Sequence, residues 1–373
     1  MVRFWRQVRR AVRSPFSGIL IAAVVAGCAA RPGPEALATV AVPEVSRLVK
    51  VFVATNRARE APESNVFSVR KAQTLNFAEF TLAVPENHRD GRIELVGASA
   101  QTKFVVVDQH ALTGASFIDR VGRFAGRKRQ DVTVFVHGFN NNFQESLFRL
   151  AQVTADSGVD TPQILFAWPS HARVTGYVAD KESVTYSRDY LAALLSGLAA
   201  DRRIGRIRLA GHSMGSWLVV EALRQLRLSG KDGVIRRIDV VLAAPDIDVE
   251  VFSQQLKVIG PLSPPMKILV AKDDRALEVS GFLASSMARV GALDVEDPRV
   301  KEAVLRARVQ VIDISELSSS DGLGHDRFVY LAGLYPRLAQ RPGLSHAGVF
   351  LLDTAGALVT APVHAGILQA GPD

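Results

Sequence analysis

Nine short runs rich in β-branched and apolar residues recur along the chain, and helical patterns separate the later ones. The runs are Val49–Ala54, Glu79–Val84, Lys103–Val107, Val132–Val136, Gln163–Ala167, Arg206–Ala210, Val240–Ala243, Lys267–Val270 and Val309–Ile314. The helical patterns are Phe143–Ala155, with Leu147, Leu150, Ala151 and Val153 apolar, and the longer Tyr186–Ala200 and Ser216–Leu228. A strand that is apolar on both faces must be covered on both faces. Such strands alternating with helices therefore predict a mostly parallel α/β sheet between two helical layers. The first three runs lack intervening helices, which predicts an antiparallel start. In sheets of this kind reactive groups collect at the carboxyl ends of the strands.

At one such end stands Gly211-His212-Ser213-Met214-Gly215, between the run Arg206–Ala210 and the helical pattern Ser216–Leu228. A serine on so sharp a strand-to-helix turn needs small residues two positions to either side, or the backbones cannot approach. The helix that follows offers unpaired N–H groups and a positive dipole end to developing negative charge. The bland reading is a glycine-rich turn with a structural serine. The strand–turn–helix context favours Ser213 as a nucleophile.

A serine alone reacts poorly and needs a base oriented by an acid. His325, in Asp321-Gly-Leu-Gly-His325, follows the run Val309–Ile314 and precedes the helical pattern Arg327–Leu338, which puts it in a strand-end loop. His346 and His364 lie in a C-terminal segment of weak periodicity and read as surface or capping residues. Two acid pairs end strands. Asp273-Asp274 follows Lys267–Val270, and Asp246 and Asp248 follow Val240–Ala243. Adjacent carboxylates point differently, so only one of a pair can reach a histidine. The backbone N–H of Met214, with that of Phe139 in His137-Gly138-Phe139-Asn140-Asn141-Asn142, would form an oxyanion hole. His137 precedes the serine and reads as a brace for this turn. The asparagines suit loop backbone equally well as substrate contact. Trp168–Asp189 follows a strand end and suits part of a lid or acyl pocket, its aromatics fitting packing as well as recognition, with Asn140, Trp168 and Tyr177 as candidate substrate contacts.

Phe52-Val-Ala-Thr-Asn-Arg57, Val134-Phe-Val-His-Gly-Phe139, Phe166-Ala-Trp-Pro-Ser170, Gly211–Gly215, Asp274-Arg-Ala-Leu277 and Gly324-His-Asp326 together resemble the α/β-hydrolase superfamily. They look like one bacterial branch of it long catalogued as a domain of unknown function. The resemblance spans about residues 47–340. It implies an α/β-hydrolase fold, the chain order Ser, Asp, His, and hence Ser213, Asp274 and His325 as the triad, with Asp274 ahead of Asp273 and of the Asp246/Asp248 pair. It implies no substrate. The Thr55-Asn56-Arg57 patch is expected to buttress the sheet rather than bind substrate.

Lys+Arg 45 against Asp+Glu 37 gives a net charge of +8, which alone invites an anionic partner. Five of those charges, Arg3, Arg6, Arg9, Arg10 and Arg13, precede the apolar stretch Gly18–Ala26, in a segment with no acid. That is the pattern of an export signal, too short to span a bilayer. It ends in Val25-Ala-Gly-Cys28, which resembles the lipobox of bacterial lipoproteins. Cleavage before Cys28 and acylation of its sulfur would follow, with residues 1–27 removed and 28–46 a Pro-rich tether. Ala29 after the cysteine implies outer-membrane sorting, facing the periplasm. Removing five charges from +8 leaves +3, and with it goes the motive for a nucleic-acid partner. Cys28 is the sole cysteine, which excludes a disulfide framework and a thiolate-clustered zinc site. Nucleotide, zinc and nicotinamide motifs are absent, so no cofactor and no metal is expected. The expected activity is a serine hydrolase acting on an ester or thioester, of small-molecule or lipid type. The alternative is a silent envelope scaffold on the same fold. Residues 341–373 carry no clear pattern.

Overall fold

The computed structural model describes residues 31–43, 46–95, 99–124, 129–283, 288–330, 350–352 and 358–359. The expected export segment 1–27, Cys28, His346, His364 and residues 331–338 of the last helical pattern lie outside them. No helix among the described residues is long and apolar enough to cross a membrane.

The strands are β1 (Leu48–Arg59), β2 (Phe67–Ala83), β3 (Val105–Leu112), β4 (Gln130–Val136), β5 (Gln163–Ala167), β6 (Ile204–His212), β7 (Ile238–Ala243), β8 (Lys267–Val270), β9 (Gln310–Asp313), β10 (Phe350–Leu352) and β11 (Leu358–Val359). Among the described residues they form one sheet in the order β11-β10-β9-β8-β7-β6-β4-β5-β1-β2-β3. From β1 to β9 every neighbouring pair in that order is parallel. The start β1-β2-β3 is an antiparallel meander, as the helix-free opening of the sequence predicts. Beyond β9, β10 and β11 return antiparallel, from a segment in which the sequence shows no pattern.

The helices are α1 (Gly114–Arg123), α2 (Phe143–Ser157), α3 (Tyr177–Tyr186), α4 (Arg188–Ala200), α5 (Met214–Leu228), α6 (Val249–Ile259), α7 (Arg275–Leu283) and α8 (Pro298–Ala307). Period-two alternation divides the strand side chains between two cores. Phe52, Val132, Val134, Ile164 and Phe166 join α1, α4 and α5 on one face. Val51, Val53, Phe135 and Leu165 join α2 on the other. Both faces are covered, so the central strands read as continuous apolar runs.

The structure corrects several expectations. The stretch 28–46, expected as a tether, is docked where it is described. Leu37 is buried, its carbonyl accepts from Gln109 Nε2 at 2.8 Å, and Val40 N–H donates to Val106 at 2.9 Å. The prolines there shape a short 3₁₀ turn, Pro34–Leu37, in place of a free linker. β2 runs far beyond the expected Glu79–Val84, because its exposed half, through Arg70, Lys71 and Gln73, carries no apolar alternation to signal it. The expected helix Tyr186–Ala200 breaks at Ser187. There a buried hydroxyl donates to Ser183 O at 2.8 Å and accepts from Asn56 Nδ2 at 2.9 Å. α1, α3, α6, α7 and α8 have no counterpart among the helical patterns, although α8 opens on Asp297-Pro298, a cap and N1 proline legible in sequence.

The β6–α5 turn packs closely against the end of β4. A Cβ at Gly215 would lie 2.4 Å from the carbonyl oxygens of both Val136 and His137. Backbone cannot retreat there without breaking the sheet. Gly197, inside α4, has nothing nearer than Ile118 Cδ1 at 3.8 Å. Gly215→Ala is therefore expected to destabilise by about 3 kcal/mol or more through overpacking. Gly197→Ala is expected to stabilise by about 0.5–1 kcal/mol through helix propensity. Thermal denaturation of the two variants checks the opposite signs.

Candidate active site

β6 ends at His212 and α5 begins at Met214. Ser213 between them has φ +53° and ψ −123°. A side chain in that region is strained by about 1–3 kcal/mol, so the surroundings must hold it. The Ser213 N–H donates to Ala243 O at the end of β7 (2.9 Å). Its carbonyl accepts from Ser216 N (2.9 Å) and Asp246 N (3.2 Å). From the β4 side, a Cβ on Gly138 would stand 3.0 Å from Ser213 Cβ. The serine is thus pressed between two strand ends with its backbone fully engaged.

Asp274, just past β8, is completely buried. Its Oδ1 accepts from Leu277 N at 3.1 Å, and its Oδ2 meets His325 Nδ1 at 2.7 Å. Burial of the His325 ring opposes its charge. The bond to Asp274 and that carboxylate's charge, with further field from Asp321 and Asp246, outweigh burial and raise the pKa above 6.5. Asp273 does something else. It is exposed and pairs with Arg327 through two bonds of 2.7 Å, which hold its carboxyl below the usual range.

The rival acids are engaged elsewhere. Buried Asp246 accepts from Tyr177 Oη (2.9 Å) and Ser280 Oγ (2.8 Å) and pairs with Arg289 Nε at 3.2 Å. Asp248 caps α6 by accepting from Glu250 and Val251 N–H. Asp246 is therefore a buried knot joining α3, α7 and Arg289, and its backbone supports Ser213.

The loop carrying His325 is folded on two carboxylates that sequence reasoning left unassigned. Asp321 accepts from Leu323 N and Gly324 N at 2.9 Å each and from His325 N at 3.2 Å. Burial raises its pKa, but these bonds, the Ser319 hydroxyl and the His325 charge hold it below the ordinary value. Asp326 accepts from Ser319 Oγ (2.8 Å) and Ser320 N (2.9 Å). The signal was present in Asp-Gly-Leu-Gly-His-Asp, where glycines and short acids alternate around the histidine. His212 was also passed over. Its Nε2–H donates to the His325 carbonyl at 3.1 Å, and its ring lies 4.7 Å from the His325 ring. Burial first, then the His325 charge, keeps His212 neutral. It ties the strand that carries the serine to the loop that carries the histidine.

His137 stacks on Trp168 at 4.9 Å with its nitrogens facing the carbonyls of Gly138 (2.9 Å) and Trp168 (3.1 Å). Burial, aided by Arg57, holds its pKa near 3, so it stays neutral and braces the turn before Phe139. Thr55, Asn56 and Arg57 are buried. Arg57 donates to Trp168 O and Ser170 O at 3.1 Å each, buttressing the loop after β5. Phe139, the expected oxyanion donor beside Met214, has its ring edge-on to Tyr177 at 5.3 Å.

Burial corrects two of the three candidate substrate contacts, Trp168 and Tyr177. Trp168 is fully buried between His137 and the core, and its Nε1–H donates to His137 O at 2.8 Å, so it presents no surface to a ligand. Tyr177 is buried with its hydroxyl committed to Asp246. Asn140 takes a left-handed turn (φ +58°), and its Oδ1 accepts from Arg31 Nη1 at 3.0 Å. Asn140 is only half-buried. Among the described residues, His88, Asp90 and Asp156 bring potential metal-ligand atoms together. Both His88 nitrogens are already taken by Glu94 (2.8 Å) and Asp156 (2.7 Å), and none of the three touches the triad.

The fold compares with solved esterases at low identity. An esterase of Pyrobaculum calidifontis is 12% identical, with 71% of this chain and 82% of that chain covered and a TM-score of 0.33. Esterase Est22 is 12% identical, with coverage of 90% and 91% and a TM-score of 0.39. No curated protein matches the sequence. Residues 115–341, more than half of the chain, match the family described as alpha/beta hydrolase of unknown function (DUF900), and the chain belongs to that family.

Proposed function

We propose that the protein is a serine hydrolase that cleaves a carboxylic ester or thioester through an acyl-enzyme on Ser213. The observation that carries this reading is the 2.7 Å bond between buried Asp274 and His325 Nδ1, on a loop tied to His212, the residue before a serine held at φ +53°. With Nδ1–H bonded to Asp274, His325 keeps Nε2 unprotonated as the base. Ser213 Oγ attacks the acyl carbon and gives its proton to Nε2. The carbonyl oxygen gathers negative charge toward the N–H groups of Met214 and Phe139. The leaving alcohol or thiol takes the proton from His325, and the acyl group stays on Ser213. Water then attacks the acyl carbon as its proton passes to His325, and the acid leaves. Asp274 stays ionised and stabilises the imidazolium formed in each half-reaction.

The setting in this reading is the bacterial envelope. The basic segment and the Val-Ala-Gly-Cys28 stretch support processing and lipid attachment at Cys28. Ala29 supports sorting to the outer membrane, facing the periplasm. Stable anchoring takes more than one acyl chain.

A fluorophosphonate should label the protein, and Ser213→Ala should abolish both labelling and hydrolysis of p-nitrophenyl esters with the melting temperature little changed. A folded protein that takes no label would point to a silent scaffold. Asp274→Asn should cost about 10⁴-fold in kcat by losing the tautomer and the stabilised imidazolium. Asp273→Asn should stay within a few-fold. The reverse ranking would assign the acid to Asp273. His325 must be neutral to accept the proton, and its pKa is raised, so kcat/KM should rise with pH along a limb centred above 6.5. A limb centred below 6.5 in a pH–rate profile would contradict the Asp274–His325 coupling.

A further inference from the structure

The described chain begins at Arg31, and Arg31 is fastened to the rim of the site. Its guanidinium holds Glu145 through bonds of 2.7 and 2.8 Å. It also donates to Asn140 Oδ1 and to the carbonyls of Asn140 and Ala172. Asn142 Nδ2 donates to Pro32 O at 2.9 Å beside it. Asn140 follows Phe139 in the turn after β4, and Ala172 lies in the loop after β5. Both are at the carboxyl ends of the strands, where Ser213 is. Cys28 is three residues from Arg31, a span of at most about 10 Å even if fully extended. An anchor at Cys28 therefore emerges at the mouth of the site.

The same face carries apolar side chains in water. Val174 is 66% exposed and Val178 70%, both just past Ala172. On α7, Val279 is 57% and Phe282 84% exposed, and Leu323, two residues before His325, is 48%. The knot at Asp246 brings these segments together, since Tyr177 next to Val178 and Ser280 next to Val279 bind the same carboxylate. Arg275 N–H donates to Leu323 O at 3.1 Å and completes the rim. Exposed Arg173, Lys272 and Arg275 stand among these apolar residues, with the exposed acids Glu182 and Glu278. A rim of large apolar residues interspersed with cations is the chemistry of an interfacial lipid contact.

We infer that this rim rests on a lipid surface, with the site mouth facing the bilayer that holds the anchor, and that the substrate is an ester of a membrane-resident lipid. This rests on the serine-hydrolase and Cys28-anchor reading above. Arg31 fixes the orientation, because it leaves the anchor too little chain to reach any other face.

The full chain, processed in a bacterial host, is reconstituted on phosphatidylethanolamine–phosphatidylglycerol vesicles with brominated acyl chains. Phe282→Trp should lose at least half of its added emission to bromine. Leu228→Trp, at the far end of α5 about 20 Å from Ser213, should lose little. Equal quenching at the two positions, or none at 282, overturns the docking. The double variant Val279→Asp, Phe282→Asp should hydrolyse a vesicle-borne long-chain ester at least tenfold more slowly, with a soluble short-chain ester within twofold. Unchanged turnover of the vesicle-borne ester also overturns it. Failure of the enzymatic reading looks different: neither ester is cleaved while the quenching contrast persists, which keeps the docking and removes the esterase. A protein that does not float with the vesicles overturns the anchor and the docking together.

Discussion

Backbone contact at the β4–β6 joint governs this molecule. Gly215 lets α5 start against the carbonyls of Val136 and His137, where a single methyl group would collide at 2.4 Å. That approach accompanies the positive φ of Ser213 (φ +53°, ψ −123°) and sets the first N–H groups of α5 beside the turn after β4. The strain is carried by bonds from β7 and from Asp246, so the serine is presented by a rigid frame. The sheet, covered on both faces, supplies that rigidity.

Burial sorts the carboxylates around this frame. Asp246, Asp273, Asp274, Asp321 and Asp326 lie close along the chain ends of β7, β8 and β9, yet each has a different partner. Asp273 is in water on Arg327. Asp246 is inside on Arg289, Tyr177 and Ser280. Asp321 and Asp326 fold the loop that carries the histidine. Of these five, only Asp274 is both buried and bonded to an imidazole. In a site with little water the field of that one carboxylate is weakly screened, which is why His325 holds its proton more tightly than a free histidine.

Polar side chains near the site act mostly as masonry. Trp168 and His137 bind each other's backbones, and Arg57 and Asp180 fix the loop after β5. Asp180 accepts from Ser170 Oγ at 2.5 Å and from His171 N at 2.8 Å. A sequence reader sees aromatic and amide residues after a strand end and expects a ligand pocket. Burial shows that Trp168 and Tyr177 face inward. The motif says which residues gather at the site, and packing decides which of them keep a free surface.

The parallel sheet, its antiparallel start and the serine turn were legible in the chain itself, because apolar period and glycine spacing are local properties. Ser213, His325 and the pair Asp273–Asp274 were legible for the same reason: strand ends can be read from runs of residues. The choice of Asp274 over its neighbour was not a local property, since it depends on which carboxylate points into the interior and which meets Arg327 from 54 residues away. The same holds for Asp246, for His212 against His325 and for Arg31 on the turn after β4, all contacts between segments far apart in sequence. Local periodicity determined the scaffold and the candidate site residues. Tertiary structure alone decided their partners and the docking of residues 31–40, because burial and direction exist only once the chain has closed on itself.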